Sequence, residues 1–372
     1  MKKYFSKGVN ILAIETSCDE TAVSLVRAEK NNFEIVDDIV SSQIKVHAPF
    51  GGVVPNLAAR EHLKNLPLLL KKIFKKHKIS SKNIDMIAVT QGPGLIPALL
   101  IGTNSAKALA YVWKKPLIGV HHIAGHIYAN FAGKVQRSKA EDQNSEIQFP
   151  VLALIVSGGH TQLILMKKHM DFKIVGETLD DAAGEAFDKV AKILNLGYPG
   201  GPIVSAIADK FKKNTAHRLP RPMLNSNNLN FSFSGLKTAV LYIVRDNPEI
   251  LKHKNLTAAL CAEFQQAVID VLVSKTLRAA KKYNPKTILL GGGVSSNKEL
   301  RKQMRKAIIK NMPDTKYHLP FAKYSLDNAA MIAIAGYFQY KLAKNPSTFG
   351  GKNKFLNNWE NLEADAGLEL KK

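Results

Sequence analysis

Two stretches of the chain share one pattern: a short apolar strand, a small polar turn and an apolar return. Asn10–Ile14 runs into the polar segment Glu15–Thr21 and comes back as Ala22–Arg27. Val151–Val156 runs into Ser157-Gly-Gly-His160 and comes back as Gln162–Met166. A lone hairpin cannot bury its faces, so each must recruit further strands and helices. The repeat is one of pattern more than of letters. Helix and strand alternate after each hairpin. Leu57–Lys78 sets Leu63, Leu66, Leu70, Ile73 and Phe74 at helical spacing, and Met86–Thr90 is a strand closed by Gln91-Gly-Pro-Gly94. Leu99–Trp113 is Ala-rich and helical, Pro116–Val120 is a strand, and His121–Phe131 opens a helix. Farther on, Thr287–Val294 is a strand running into a glycine turn, followed by helical Asn297–Lys310. Such alternation implies an α/β protein.

A length of 372 residues is enough for two domains with real cores. We expect a first lobe over 1–135, a polar linker at 136–149, a second lobe over 150–320 and a mobile tail over 346–372. Hydrophobic residues at 45% and charged residues at 22% exclude a disordered or collagen-like chain. Two cysteines, Cys18 and Cys261, exclude a disulfide scaffold and a Cys-rich zinc module. Lysine and arginine number 53 against 30 acidic residues, a net charge of +23 that favours polyanionic partners or reflects a basic proteome. Apolar stretches break well short of a membrane span, and the run Ile11–Ile14 is too short for a signal-peptide core. A soluble, cytoplasmic protein with no membrane partner is expected.

Several residue patterns carry chemistry, each with a plainer structural alternative. Ser157-Gly158-Gly159 and Gly291-Gly292-Gly293 can present free amides to an anion, or simply turn the chain. Neither is followed by Gly-Lys-Ser/Thr, so P-loop phosphoryl transfer is disfavoured. His122 and His126 are spaced i, i+4 and share one face of a helix, which suits two ligands of zinc or iron, or two surface histidines. Ile123 stands where a His-Glu-x-x-His protease keeps its base. Asp327, at the head of an apolar helix, is a candidate third ligand or a plain helix cap. Asp19 and Glu20 form one acidic pair, and Asp180, Asp181, Glu185 and Asp188 a second cluster. Either can face a cleft or decorate a helix start. Basic runs at Lys71–Lys78, Lys210–Lys213, Arg218–Arg221 and Arg301–Lys310 offer a phosphate-binding surface or a solvated face.

Taken together, the chain resembles the universal tRNA threonylcarbamoyl transferases of the bacterial TsaD type. The resemblance covers about Ile11 to Tyr340. It rests on Ile14-Glu-Thr-Ser-Cys-Asp-Glu-Thr21, Gly51-Gly-Val-Val-Pro55, Gly92-Pro-Gly94, His122–His126, Val156-Ser-Gly-Gly-His-Thr161 and Asp180–Asp188, in that order. Tyr198-Pro-Gly-Gly-Pro202, Phe231–Lys237, Gly291–Asn297 and Asp327-Asn-Ala-Ala-Met331 continue it. Asn56, Pro97-Ala98 and Ala124 depart from the usual pattern without removing a candidate ligand.

The resemblance implies an actin-like ATPase, sugar-kinase or Hsp70-like fold: two related lobes around a nucleotide cleft, the first completed by part of 320–345. It implies transfer of threonylcarbamoyl from threonylcarbamoyl-AMP to the N6 amine of the adenosine 3′ of the anticodon, in tRNAs reading codons that start with A. It assigns one divalent metal, iron or zinc with iron favoured, to His122, His126 and Asp327. Substrate contacts fall to Ile155, Val156, Ser157, Gly158, Gly159, Asp188, Gly201 and Asn297, with Asp19 and Glu20 as candidate catalytic residues. Expected partners are tRNA, a TsaB-type inert paralogue and a TsaE-type small ATPase. Two other readings stay open: an ATPase or small-molecule kinase on the same fold, and a non-catalytic tRNA-binding subunit.

Overall fold

A computed structural model describes residues 8–132, 146–211, 218–343 and 359–370. Most of the expected 136–149 linker, positions 346–358 and 371–372 of the expected tail, and Lys212 and Lys213 lie outside the described residues.

In chain order the strands are β1 (Val9–Glu15), β2 (Glu20–Glu29), β3 (Asn32–Ser42), β4 (Met86–Gly92), β5 (Leu117–His121), β6 (Val151–Val156), β7 (Thr161–Met166), β8 (Phe172–Glu177), β9 (Thr287–Gly291) and β10 (Lys316–His318). The helices are α1 (Ile44–His47), α2 (Pro55–His77), α3 (Ile96–Trp113), α4 (His122–Tyr128), α5 (Ala183–Ile193), α6 (Gly200–Ala208), α7 (Ser234–Asp246), α8 (Lys254–Tyr283), α9 (Lys298–Asn311) and α10 (Ala329–Ala343). The chain divides into two compact units. Unit 1 comprises Met1–Lys45, Val53–Glu146 and Pro320–Lys372, and unit 2 comprises Val46–Gly52 and Ile147–Leu319.

Each unit is built on one five-stranded sheet, ordered β3-β2-β1-β4-β5 in unit 1 and β8-β7-β6-β9-β10 in unit 2. The pairing repeats as well. In unit 1, β1–β2 and β2–β3 are antiparallel while β1–β4 and β4–β5 are parallel. In unit 2, β6–β7 and β7–β8 are antiparallel while β6–β9 and β9–β10 are parallel. The hairpin repeat legible in the sequence is therefore the visible part of a full repeat of sheet topology. Three edge strands, β3, β8 and β10, lie outside the sequence-based reading. β3 reads Asn-Phe-Glu-Ile-Val-Asp-Asp-Ile-Val-Ser-Ser, half-exposed with charges on its face, so it lacks the apolar run that marks a central strand.

Helices cover both faces of the unit 1 sheet. Leu12, Ile14, Val23, Leu25, Ile87 and Val89 pack with Leu66, Leu69 and Ile73 of α2 and Ala106 and Ala110 of α3. On the other face Gly336 of α10 lies against Ala88, Val120 and Met86. Period-2 alternation along β4 thus feeds two layers. Residues Ala329–Phe338 of α10 are all buried, which explains a sequence apolar all round. The helix expected over Leu57–Lys78 runs Pro55–His77, and Lys78 closes it in a left-handed conformation at φ 52°. In unit 2, Phe187, Phe231, Phe233 and Phe264 anchor the core. Among the described residues α8 alone is long and apolar enough to cross a membrane, and 67% of its most apolar stretch is buried in the protein, as befits a core helix.

Part of the stretch expected to be a mobile tail is docked on unit 1. The Trp359 ring packs on Tyr111 with centroids 4.9 Å apart and planes tilted by 56°, and Leu362 packs against the β1/β4 core. The Asp365 amide donates to Gln91 O at 2.9 Å, and His121 Nε2 lies 3.0 Å from Leu368 O. The amide–carbonyl contacts satisfy backbone groups at the exposed end of β4, which a sequence of mixed polarity does not advertise.

Candidate active site and metal centre

The site grows from the carboxyl ends of β1, β4 and β5, three adjacent parallel strands. His121 ends β5, and its Nδ1 accepts the Ile123 amide at 3.1 Å, capping α4. All residues of α4 are buried, so His122 and His126 project into the protein, not into solvent. Their rings meet edge to face with centroids 4.7 Å apart. At the head of α10, Asn328 takes the capping role that Asp327 alone could have filled: its Oδ1 accepts the Met331 amide at 2.9 Å. Asp38, reaching from β3, accepts the Ala330 amide at 3.1 Å. The Asp327 carboxylate is turned toward the histidines, with Oδ1 3.2 Å from His126 Nε2 and 3.6 Å from His122 Nε2. One ligand atom from each of the three residues lies within 4.8 Å of the others.

The donor set fits a metal ion. His126 is fully buried, yet neither ring nitrogen has a hydrogen-bond partner among the described residues. A buried imidazole left this way is costly unless its lone pair is used by an acceptor of another kind. Two imidazoles and one carboxylate are a donor set for zinc or iron. The electrostatics agree. Burial pushes His122 toward the neutral form, but the Asp327 and Glu15 carboxylates outweigh it and raise its pKa to about 9. The same field that would hold a proton there favours a cation. Burial, with Asp327 and Asp19 nearby, pushes Glu20 up to about 10, and burial drives the Cys18 thiol well above its usual range. The pocket carries surplus negative charge that a divalent ion would relieve.

Asp19 and Glu20 belong to the same unit, Asp19 closing the turn after β1 and Glu20 opening β2. Asp19 is buried, and Glu20 accepts from Ser42 Oγ at 3.2 Å. A residue the sequence reading passed over holds this turn. His62 of α2 is fully buried, with Nε2 2.9 Å from Cys18 O and Nδ1 2.8 Å from Thr21 Oγ1. Its position on the apolar face of α2, among leucines, was the available signal.

The remaining predicted contacts lie together in unit 2. Ile155 and Val156 end β6, and Ser157-Gly158-Gly159 form the turn into β7, closed by Ser157 N donating to His160 O at 2.8 Å. Three glycines in unit 2 let backbone approach backbone closely. A Cβ on Gly184 would overlap Ser157 O, one on Gly200 would overlap the Asp188 backbone, and one on Gly292 would overlap Val156 O. Gly158, Gly159 and Gly201 differ, because a Cβ on any of them meets nothing within 4 Å. Their missing side chains are not required by packing. Asp188 Oδ1 accepts the Gly200 amide at 2.7 Å at the start of α6. Asn297 Oδ1 caps α9 through the Leu300 amide at 2.9 Å, while its Nδ2 donates to Ser205 Oγ and Gln265 Oε1. Both side chains fix the starts of the helices they cap.

Other charged residues resolve to structural roles. Asp180 caps α7 through the Phe233 amide at 2.8 Å, and Lys189 bonds Asp181 and Glu185 at 2.7 and 2.8 Å. Arg221 pairs with Glu263 and Asp270, so this member of the Arg218–Arg221 run is an internal brace. Lys71, Lys72, Lys75 and Lys78 are exposed, while Lys76 pairs with Asp37 at 2.8 Å.

The model of the tRNA N6-adenosine threonylcarbamoyltransferase family matches residues 34–334. The chain belongs to the tRNA N6-adenosine threonylcarbamoyltransferase family. It is 50% identical over 331 residues to the enzyme of that name from Bacillus subtilis, covering 89% of this chain and 90% of the relative. The namesake from Bacillus thuringiensis strain Al Hakam is 48% identical over 341 residues, 91% of this chain and 93% of that one. Among solved structures, HypF of T. kodakarensis superposes with a TM-score of 0.57 at 13% identity, over 90% of this chain and 48% of that one. That likeness shows the fold, the two-sheet actin-like ATPase class. The protein is a tRNA-modifying acyltransferase.

Proposed function

We propose that this threonylcarbamoyltransferase works at a metal centre formed by His122, His126 and Asp327, with threonylcarbamoyl-AMP as donor and the N6 amine of the adenosine 3′ of the anticodon as acceptor. The reading rests above all on buried His126, whose ring nitrogens have no hydrogen-bond partner among the described residues and whose Nε2 faces Asp327. When bound, an iron or zinc ion would supply Lewis acidity toward a carbonyl or phosphoryl oxygen. The donor is a mixed anhydride, so its carbonyl is already activated and the protein's work is placement and charge stabilisation. The amides of Gly158 and Gly159 in unit 2 suit a phosphate group. Asp188 and Asn297 fix the starts of α6 and α9. Glu20, neutral through its raised pKa, can donate a hydrogen bond where Asp19 accepts one.

Exposed Lys71, Lys72, Lys75 and Lys78 supply phosphate contacts for the tRNA, whose adenosine must be splayed out to react. Leu63, Leu68, Tyr111 and Val112 are exposed on α2 and α3, which supports docking of a protein partner, the TsaB-type paralogue, with the TsaE-type ATPase as the other assembly member. A cytoplasmic location follows from the tRNA substrate. Mass spectrometry of nucleosides from unmodified tRNA, after incubation with the protein, partners, ATP, threonine, bicarbonate and the adenylate synthase, tests the reading. Threonylcarbamoyladenosine is expected with the intact protein and not with His122→Ala plus His126→Ala. Product from the double variant at the intact rate would remove the metal centre from the reaction.

A further inference from the structure

β1 reads Val-Asn-Ile-Leu-Ala-Ile-Glu and is buried throughout its last six residues, so Glu15 is a carboxylate at the end of an apolar strand. An isolated buried carboxylate is expensive, and its retention needs partners. Glu15 has three. The Ser17 amide donates to Oε1 at 2.5 Å, Thr90 Oγ1 donates to Oε2 at 2.5 Å, and His122 Nδ1 lies 3.2 Å from Oε2. The register explains the meeting: Ile14 of β1 pairs with Val89 of β4, so Glu15 and Thr90 are neighbours.

We infer that Glu15 is a positioning residue of the metal centre, its carboxylate accepting the Nδ1 hydrogen of His122 so that Nε2 is left to face Asp327 and a bound ion. Ser17 Oγ also lies 3.2 Å from Nδ1, but a hydroxyl suits either tautomer, whereas a carboxylate accepts only. With Glu15 in place the hydrogen belongs on Nδ1, and the donor pair for a metal sits on Nε2. His126 has no such partner on its Nδ1 among the described residues, so the two histidines are not equivalent. The inference rests on the metal-centre reading above, and the experiment separates the two.

Metal affinity is measured on the full chain by titrating the metal-free protein with zinc against a chromophoric chelator. The intact protein should bind one ion, and His122→Ala plus His126→Ala should lose it. Glu15→Gln keeps the shape but can turn an NH2 toward Nδ1, which favours the wrong tautomer. Its affinity should fall by about 10–100-fold, the usual effect of losing an outer partner of a metal-bound histidine. Thr90→Val, which removes one of the donors to Glu15 and leaves the carboxylate, should give a smaller loss and covers the case in which Glu15→Gln does not fold. Imidazole ¹⁵N spectra of the zinc-loaded protein should show His122 protonated on Nδ1. Unchanged affinity in both Glu15→Gln and Thr90→Val would overturn the role of Glu15 alone. An intact protein that binds no zinc would overturn the metal centre and this role with it.

Discussion

Gly158 and Gly292 stand at opposite ends of one region of unit 2, and they should fail in different ways. Gly292 has φ 85° and ψ 163°, a region that L-residues essentially do not populate, and a Cβ there would overlap the Val156 carbonyl inside the sheet. The conformational strain costs about 1–3 kcal/mol. The overlap adds about 1–2 kcal/mol, because Val156 pairs with Thr161 and its backbone cannot move without disturbing the ladder of β6 with β7. Gly292→Ala should therefore lose about 2–5 kcal/mol, roughly 4–20 °C in Tm for a unit of this size. Gly158 has nothing within 4 Å of a would-be Cβ, so Gly158→Leu should change stability by less than about 0.5 kcal/mol. If the turn amides hold the adenylate phosphate, the leucine blocks that approach and AMP affinity should drop about tenfold or more, about 1.4 kcal/mol. Differential scanning calorimetry and calorimetric titration with AMP measure both quantities on both variants. Equal melting losses would make Ser157–Gly159 a structural turn, and unchanged AMP affinity in Gly158→Leu would remove it from the nucleotide site.

Four further outcomes follow from named residues. Glu20 has its pKa raised from 4.5 to about 10, so the folded state is favoured while Glu20 stays protonated and loses that advantage as pH rises from about 5 toward 10. Glu20→Gln should gain Tm relative to the intact protein at pH 8 and match it near pH 4, and a pH-independent difference would refute the shift. Reversing Lys75 and Lys78 to glutamate should weaken tRNA binding and flatten its salt dependence by roughly one unit of slope for each phosphate no longer neutralised; unchanged affinity across a salt titration makes this a solvated face. Arg221→Ala should destabilise unit 2 by leaving Glu263 and Asp270 without their brace, read by urea melts, while tRNA affinity stays unchanged. Truncation before Trp359 should remove the packing of Trp359 on Tyr111 and the cover on the end of β4 and lower the melting temperature; an unaltered melt would show that the docked segment contributes nothing to stability.

The central strands and the helices with one apolar face were legible because burial writes a period into the sequence. β1, β4 and β6 are apolar runs, and α2 and α3 show their faces. β3 and β10 were not legible: one is a half-exposed edge, the other only three residues long. At the site, His122 and His126 could be paired by spacing alone, since both lie on α4. Asp327 could not be tied to them by pattern, because 201 positions separate it from His126 and only the packing of α10 on α4 closes that gap. Asp180 and Asp181 show the converse. Their clustering left a cleft and a helix start both open, and the structure gives them a helix cap and a lysine. Charge in a row is ambiguous until its partners are known.

The repeat of topology explains why chemistry collects where it does. In both units the turn after the first central strand and the end of its parallel neighbour lie side by side, since β1 pairs with β4 as β6 pairs with β9. Chain ends at the carboxyl edge of parallel strands leave unpaired amides and short loops, the usual place for ligands in open α/β sheets. Unit 1 has filled this position with side chains: Glu15 and Ser17 after β1, Thr90 on β4, His122 after β5. Unit 2 has emptied the matching position, with Ser157-Gly158-Gly159 after β6 and Gly291-Gly292-Gly293 after β9. One copy offers nitrogen and carboxylate donors that suit a cation, and the other offers backbone amides that suit an anion.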